Sequence, residues 1–193
     1  MNLGPLIIVS GPSGSGKSTL IRRTLEMFGP RLRHAVSATT RPPRPGEVDG
    51  VDYHFWPRER FEAGVAAGEF LEHATVFGKA SYGTPRSEVE PYRPAGVGVI
   101  LDIDVQGAGQ LRLTCPDAVS VFVDTPPGAY EQRLRDRGTE DEAAIRERLA
   151  EARTELTRAG EFDVRLLNDH LDRAAADLCA VVRRQFVQTP RGT

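Results

Sequence analysis

Gly11-Pro12-Ser13-Gly14-Ser15-Gly16-Lys17-Ser18 decides the fold. It follows an apolar run, Leu6-Ile7-Ile8-Val9, that predicts a buried strand. It precedes Thr19-Leu20-Ile21-Arg22-Arg23-Thr24-Leu25, which predicts the start of a helix. A GxxxxGK[ST] pattern between a strand and a helix is a P-loop, which points to nucleotide binding. The glycines let backbone N–H groups curl around a phosphate, and the helix N-terminus adds the positive end of its dipole. Lys17 supplies a mobile point charge for β- and γ-phosphates, and the Ser18 hydroxyl is placed to ligate Mg2+. The plain alternative, a flexible Gly/Ser turn before an ordinary helix, requires the full pattern to arise by chance, and the strand–helix context makes that rarer still.

The chain has 193 residues, enough for one well-cored domain with small subdomains. An apolar fraction of 39% and a charged fraction of 27% fit a soluble globular protein. No apolar run approaches a membrane span and no signal segment is visible, so neither a membrane nor a secretory route is expected. Cys115 and Cys179 form no disulfide framework or zinc spacing, which points to a reducing cytoplasm. His34, His54, His73 and His170 are scattered and form no ligand pattern. A net charge of −2 argues against a nucleic-acid partner. The basic residues are almost all Arg, with Lys only at 17 and 79. A Lys inside the glycine loop of such a chain implies a geometric need for a slim ammonium.

Strand and helix patterns alternate along the chain, the signature of a parallel α/β sheet with crossover helices. The predicted elements are a strand over 5–10, a helix over 17–28, a short strand within 35–40 and a strand over 51–56. A helix over 58–67 and a strand over 69–77 follow. Thr84-Pro85 predicts the start of a short helix, a cap followed by Pro at the first helical position, with Pro91 and Pro94 limiting it. Then come a strand over 97–103, a helix over 105–113 and a strand over 119–124. Helices over 127–136 and 140–159, a strand over 163–167 and a helix over 171–188 complete the chain. The plan is a core of about 4–34, 84–126 and 159–188, with insertions at about 35–83 and 127–158.

The second informative segment runs Ser37-Ala38-Thr39-Thr40-Arg41-Pro42-Pro43-Arg44-Pro45-Gly46-Glu47-Val48-Asp49-Gly50-Val51-Asp52-Tyr53-His54-Phe55. Two Arg sit three apart on a proline-stiffened loop, and a Tyr follows nine residues later. Rigid guanidinium forks suit a bidentate grip on phosphate, and a Tyr hydroxyl adds a donor. The bland alternative is a solvated basic loop.

This segment resembles the substrate-phosphate signature of guanylate kinases, and the resemblance extends over about residues 4–188. It implies a P-loop kinase core, a parallel sheet flanked by helices, with a mobile GMP-binding insertion at about 35–83 and a helical lid at about 127–158. It implies that Arg41, Arg44, Tyr53 and Tyr82 hold the phosphate of GMP, and that Ser37, Glu72 and Thr84 read the guanine. Asp102 and Asp104 match acidic residues near base, sugar and metal, so either could hold Mg2+ through water beside Ser18. Gly11, Pro12, Ser13, Gly14, Ser15, Gly16, Lys17, Ser18 and Thr19 would bind ATP, with Asn168 near the adenine. Lys17, Arg44, Arg137 and Arg148 would be catalytic. Arg133, Arg135 and Arg146 are further arginines within reach, Arg135 the weaker candidate; for Arg146 and Arg148, which alternate with Glu147 and Glu151 on a helix, exposed ion pairing is the ordinary alternative.

The base assignment is also chemically sensible. Guanine offers N–H donors at N1 and N2, and an ionised carboxylate is acceptor-only, so Glu72 would favour guanine over adenine. The expected reaction is ATP plus GMP, and by extension dGMP, to ADP plus GDP. A phosphomonoester has a second pKa near ~6, so the acceptor needs no general base. Two alternatives remain open at this point. One is a guanylate-kinase-like module that binds acidic or phosphorylated peptides; the intact P-loop argues against it. The other is a P-loop kinase for a sugar phosphate, which would have no purine edge for Ser37 and Glu72 to read.

Overall fold

The computed structural model describes residues 3–76, 80–126, 128–136 and 142–188. In chain order its elements are β1 (Leu6–Ser10), α1 (Lys17–Phe28), β2 (Leu32–His34), β3 (Ala38–Thr39), β4 (His54–Phe55), α2 (Arg58–Ala66), β5 (Phe70–Val76) and β6 (Ala80–Pro85). After two short 3-10 turns come β7 (Gly98–Asp102), α3 (Val105–Thr114), β8 (Val119–Asp124), α4 (Ala129–Asp136), α5 (Glu142–Thr157), β9 (Val164–Leu167) and α6 (Leu171–Gln188).

Strand β1 is buried at every position and apolar from Leu6 to Val9 because helices cover both faces of its sheet. Ile7 and Val9 pack with Leu20 of α1 and with Leu178 and Val182 of α6. Leu6 and Ile8 point the other way, onto Ala108 and Leu111 of α3. The period of two that usually marks a half-exposed strand is therefore hidden. Each of these side chains, fully buried, contributes roughly 1.5–3 kcal/mol. The sheet is parallel throughout, in the order β2-β7-β1-β8-β9. The loops after β1 and β7 emerge side by side at its carboxyl edge, where open α/β sheets place ligands.

The second sheet has the order β4-β3-β6-β5. Strands β5 and β6 pair antiparallel with Glu72 opposite Thr84, and β3 pairs β6 with Thr39 opposite Tyr82. Phe61 of α2 packs on Phe70 and Ala38 to cover one face.

Two expectations need correction. Thr84-Pro85 does not start a helix; both residues end β6, and only a 3-10 turn, Arg86–Glu88, follows. Pairing with β3 and β5 on its two sides overrides the cap-and-proline signal. The pattern also shows no strand at Leu32–His34, three residues that become β2 only because β7 offers them an edge. The expected strand over 51–56 shortens to His54–Phe55.

Candidate active site

The P-loop runs from the end of β1 into α1. Gly16 occupies the N-cap with φ +91°, a left-handed conformation that a side chain would strain. A Cβ there would also lie 2.4 Å from Nδ2 of Asn168. That amide donates to the Ser15 carbonyl at 2.7 Å, so Asn168, buried just after β9, braces the loop. Lys17 folds back over the loop and donates to the carbonyls of Gly11 and Pro12.

The parallel register of β1 and β7 sets Val9 opposite Asp102. Asp102 therefore ends its strand beside the P-loop, and the Ser18 hydroxyl donates to its Oδ2 at 3.3 Å. Asp104 is placed differently. Its Oδ1 accepts from the backbone N–H groups of Gln106 (3.0 Å) and Gly107 (2.7 Å), capping α3. The two aspartates thus separate into one facing Ser18 and one capping a helix. A hydroxyl and a carboxylate are hard oxygen donors, the set that suits Mg2+. Among the described residues no group of three or more His, Cys, Asp or Glu could hold a metal unaided.

The Arg41–Tyr53 loop is built by its own polar residues. Asp52 accepts from the Val48 N–H and Asp49 from the Phe55 N–H, each at 2.8 Å. Arg41 meets Glu47 with both ends of its fork, at 2.6 and 2.7 Å, and its Nε donates to the Tyr82 hydroxyl at 3.1 Å. Arg41 Cζ lies 5.0 Å from the centre of the Tyr53 ring, and the Tyr53 and Tyr82 rings meet edge-on at 5.8 Å. Arg41, Tyr53 and Tyr82 therefore form one cluster. Burial, with Asp102 adding to it, pushes the Tyr53 hydroxyl up to about 12. The Arg44 side chain is exposed and donates no hydrogen bond to a described residue.

Glu72 is 4% exposed. Its Oε1 accepts from the Thr84 hydroxyl at 2.7 Å, across the β5–β6 pair. Burial pushes its carboxyl up to about 7; the Thr84 hydrogen bond opposes this and Asp104 reinforces it. Ser37 is buried just before β3.

Arg148 of α5 donates to the Ser13 hydroxyl at 2.7 Å. Arg133 of α4 reaches the carbonyls of Gly14 (3.4 Å), Ser15 (3.3 Å) and Asn168 (3.0 Å). Arg135 instead pairs with Glu131 and Glu142 on an exposed surface. Arg137 lies outside the described residues. Arg133 stood in the sequence as one arginine among several, and only the fold singles it out. Glu47 gave a usable signal, a carboxylate three residues after Arg44. Glu155 gave none: it is a largely buried carboxylate of α5 whose Oε2 has no partner among the described residues.

The guanylate kinase family model matches residues 4–185. The chain belongs to the guanylate kinase family. It is 49% identical to a guanylate kinase of Rubrobacter xylanophilus, over 95% of this chain and 96% of the relative. It is 50% identical to one of Symbiobacterium thermophilum, over 97% and 89% of the two chains. The crystal structure of guanylate kinase from Anaplasma phagocytophilum superposes with a TM-score of 0.79 at 31% identity, covering 98% of this chain and 89% of that one. The five-stranded parallel sheet with its flanking helices is the P-loop kinase fold of this family. No helix among the described residues is long and apolar enough to cross a membrane.

Proposed function

We propose that the chain transfers the γ-phosphoryl group of ATP to GMP, and to dGMP, giving ADP and GDP or dGDP. The observation that carries this reading is the second sheet. It presents a buried Glu72–Thr84 pair from β5 and β6, and an Arg41–Tyr53–Tyr82 cluster from the β3–β4 loop and β6. A carboxylate able to accept from N1–H and N2–H2 of guanine and a cationic cluster able to hold a phosphate are the two ends of GMP.

In this reading Glu72, Thr84 and Ser37 orient the base, and Arg41, Arg44, Tyr53 and Tyr82 hold the acceptor phosphate. A phosphate oxygen of GMP is the nucleophile and is already largely ionised near neutral pH. Catalysis is then positioning and charge neutralisation. Lys17, Arg44 and Arg148, with Arg137, surround the transferring group. Ser18 and Asp102 would hold Mg2+, which when bound neutralises charge on the ATP phosphates. Asp104 acts on the site through the helix it caps. Asn168 and Arg133 serve ATP by fixing the shape of the loop. We assign the GMP-binding insertion to about residues 35–83 and the lid to about 127–158, and we place the chain in the cytoplasm.

The test is ADP formation from MgATP with GMP, dGMP, AMP, CMP, UMP and a ribose phosphate as separate acceptors. Turnover confined to GMP and dGMP is expected. Equal turnover with AMP would remove Glu72 from base selection, and turnover with the ribose phosphate would overturn the reading.

A further inference from the structure

The two arginines of the Arg41–Arg44 pair are in different states, and one residue makes them so. Glu47 uses both carboxylate oxygens. Oε1 accepts from Arg41 Nη2 at 2.7 Å; Oε2 accepts from Arg41 Nη1 at 2.6 Å and from the Arg44 backbone N–H at 2.7 Å. Glu47 in turn donates its own N–H to the Arg44 carbonyl at 3.0 Å, closing the turn. Three of residues 42–45 are proline, so the Arg44 N–H is the one backbone donor in that stretch, and Glu47 takes it.

Donor accounting shows what remains for a phosphate. A guanidinium has five N–H donors. Arg41 gives Nε–H to Tyr82, one Nη1 hydrogen to the Pro42 carbonyl at 2.9 Å, and one hydrogen from each Nη to Glu47. One Nη2 hydrogen is left. The Arg41 and Glu47 side chains are 13% and 19% exposed, so the pair is screened far less than a surface ion pair. The hydrogen bonds from Arg41 hold the Glu47 carboxyl down at about 2, which keeps it ionised at neutral pH.

We infer that Glu47 is a positioning residue for the acceptor phosphate: it locks Arg41 as a rigid donor and anchors the backbone from which the Arg44 fork is free to follow the phosphoryl group. This rests on the reading above that Arg41 and Arg44 hold the phosphate of GMP. Glu47 could instead compete with phosphate for Arg41. The geometry favours positioning, because Glu47 holds Arg41 against Tyr53 and Tyr82, the other members of the cluster, and does not draw it away from them. A preordered fork loses less side-chain freedom when the ligand arrives.

The experiment measures GMP and guanosine binding by calorimetry to the full chain carrying Glu47→Gln, Glu47→Ala or Arg41→Ala, and to the double variant Arg41→Ala/Glu47→Gln. Thermal melts confirm that each folds. Glu47→Gln is expected to weaken GMP about tenfold while leaving guanosine within about twofold, since the base side is untouched. In the Arg41→Ala background the same change costs less than about threefold, because its main target is gone. Tighter GMP binding by Glu47→Gln would show competition and overturn the proposal. Equal weakening of GMP and guanosine, or full additivity in the double variant, would also overturn it. Arg44→Ala is the control for the underlying reading: if it leaves GMP binding intact, the phosphate site itself is misplaced.

Discussion

A Cβ on Gly107 would lie 2.3 Å from Oε2 of Glu72. Gly107 belongs to α3 of the main sheet and Glu72 to β5 of the second, so a core helix shapes the pocket of the carboxylate proposed to read the base. Gln110, one turn on, ties the two elements together. Its amide bonds the His73 N–H (3.3 Å) and carbonyl (2.7 Å).

Gly107→Ala isolates this contact. Alanine favours a helix interior by roughly 0.5–1 kcal/mol over glycine, so propensity alone would stabilise the fold. The new methyl group has to displace the Glu72 carboxylate, which Thr84 already holds on its other oxygen. KM for GMP should rise by about tenfold, with KM for ATP unchanged. An unchanged KM for GMP in steady-state assays would mean that the base is not read from this position.

The carboxyl of Glu72, pushed up to about 7 by burial, predicts a pH dependence for base recognition. Only the ionised form accepts from both N1–H and N2–H2. Guanosine affinity should therefore fall as pH drops through about 7, approaching tenfold per unit below it. Guanosine is the right ligand because GMP carries its own titration near ~6. Calorimetric titrations between about pH 5.5 and 8.5 check this, and Glu72→Gln should flatten the profile while weakening binding throughout.

Glu155 predicts a stability effect of defined sign. Burial raises its carboxyl to about 7, partly offset by Lys17 and reinforced by Glu151, Asp104 and Asp102. Between about 4.5 and 7 the folded chain holds a proton there that the unfolded chain has lost, so stability falls as pH rises through that window. Glu155→Gln removes the buried charge. It should raise Tm above about pH 7, by up to ~3 kcal/mol in free energy, and have little effect near pH 4.5. A Tm gain equal at both pH values would contradict this origin.

Arg148 and Ser13 can be separated. If Arg148 neutralises charge on the transferring group, Arg148→Ala should lower kcat by on the order of a hundredfold, with Tm little changed. Ser13→Ala removes the same 2.7 Å contact but keeps the guanidinium, and should cost less than about threefold. Equal losses would make Arg148 a loop brace.

Much of the fold was legible because its signals are local. The bounds of α1, β8 and α6 follow directly from apolar spacing and the residues around them. Strand β6 was not legible: its six residues include Gly83 and Pro85, poor strand formers, and its pairing partners lie elsewhere in the chain. The site shows the same division. Arg41 and Tyr53 of the proposed phosphate cluster lie in one segment, but Tyr82 joins them only through β3–β6 pairing. Asp102 and Asp104 are alike as strand-end acids, and the β1–β7 register alone sets one beside Ser18 while the other caps α3.

By itself the sequence determined the P-loop, the alternating α/β order and the family. Each is written in contiguous residues whose backbone preferences and chemistry act over a few positions. Only the tertiary structure decided that Arg148 reaches Ser13, that Asn168 braces Ser15, that Gly107 makes room for Glu72, and that Glu47 occupies Arg41 while the Arg44 fork stays exposed. The first three join residues distant in sequence, which meet only when sheet registers and helix packing bring them together. The last lies within one short loop, yet the number of donors left on Arg41 depends on Tyr82 from another strand.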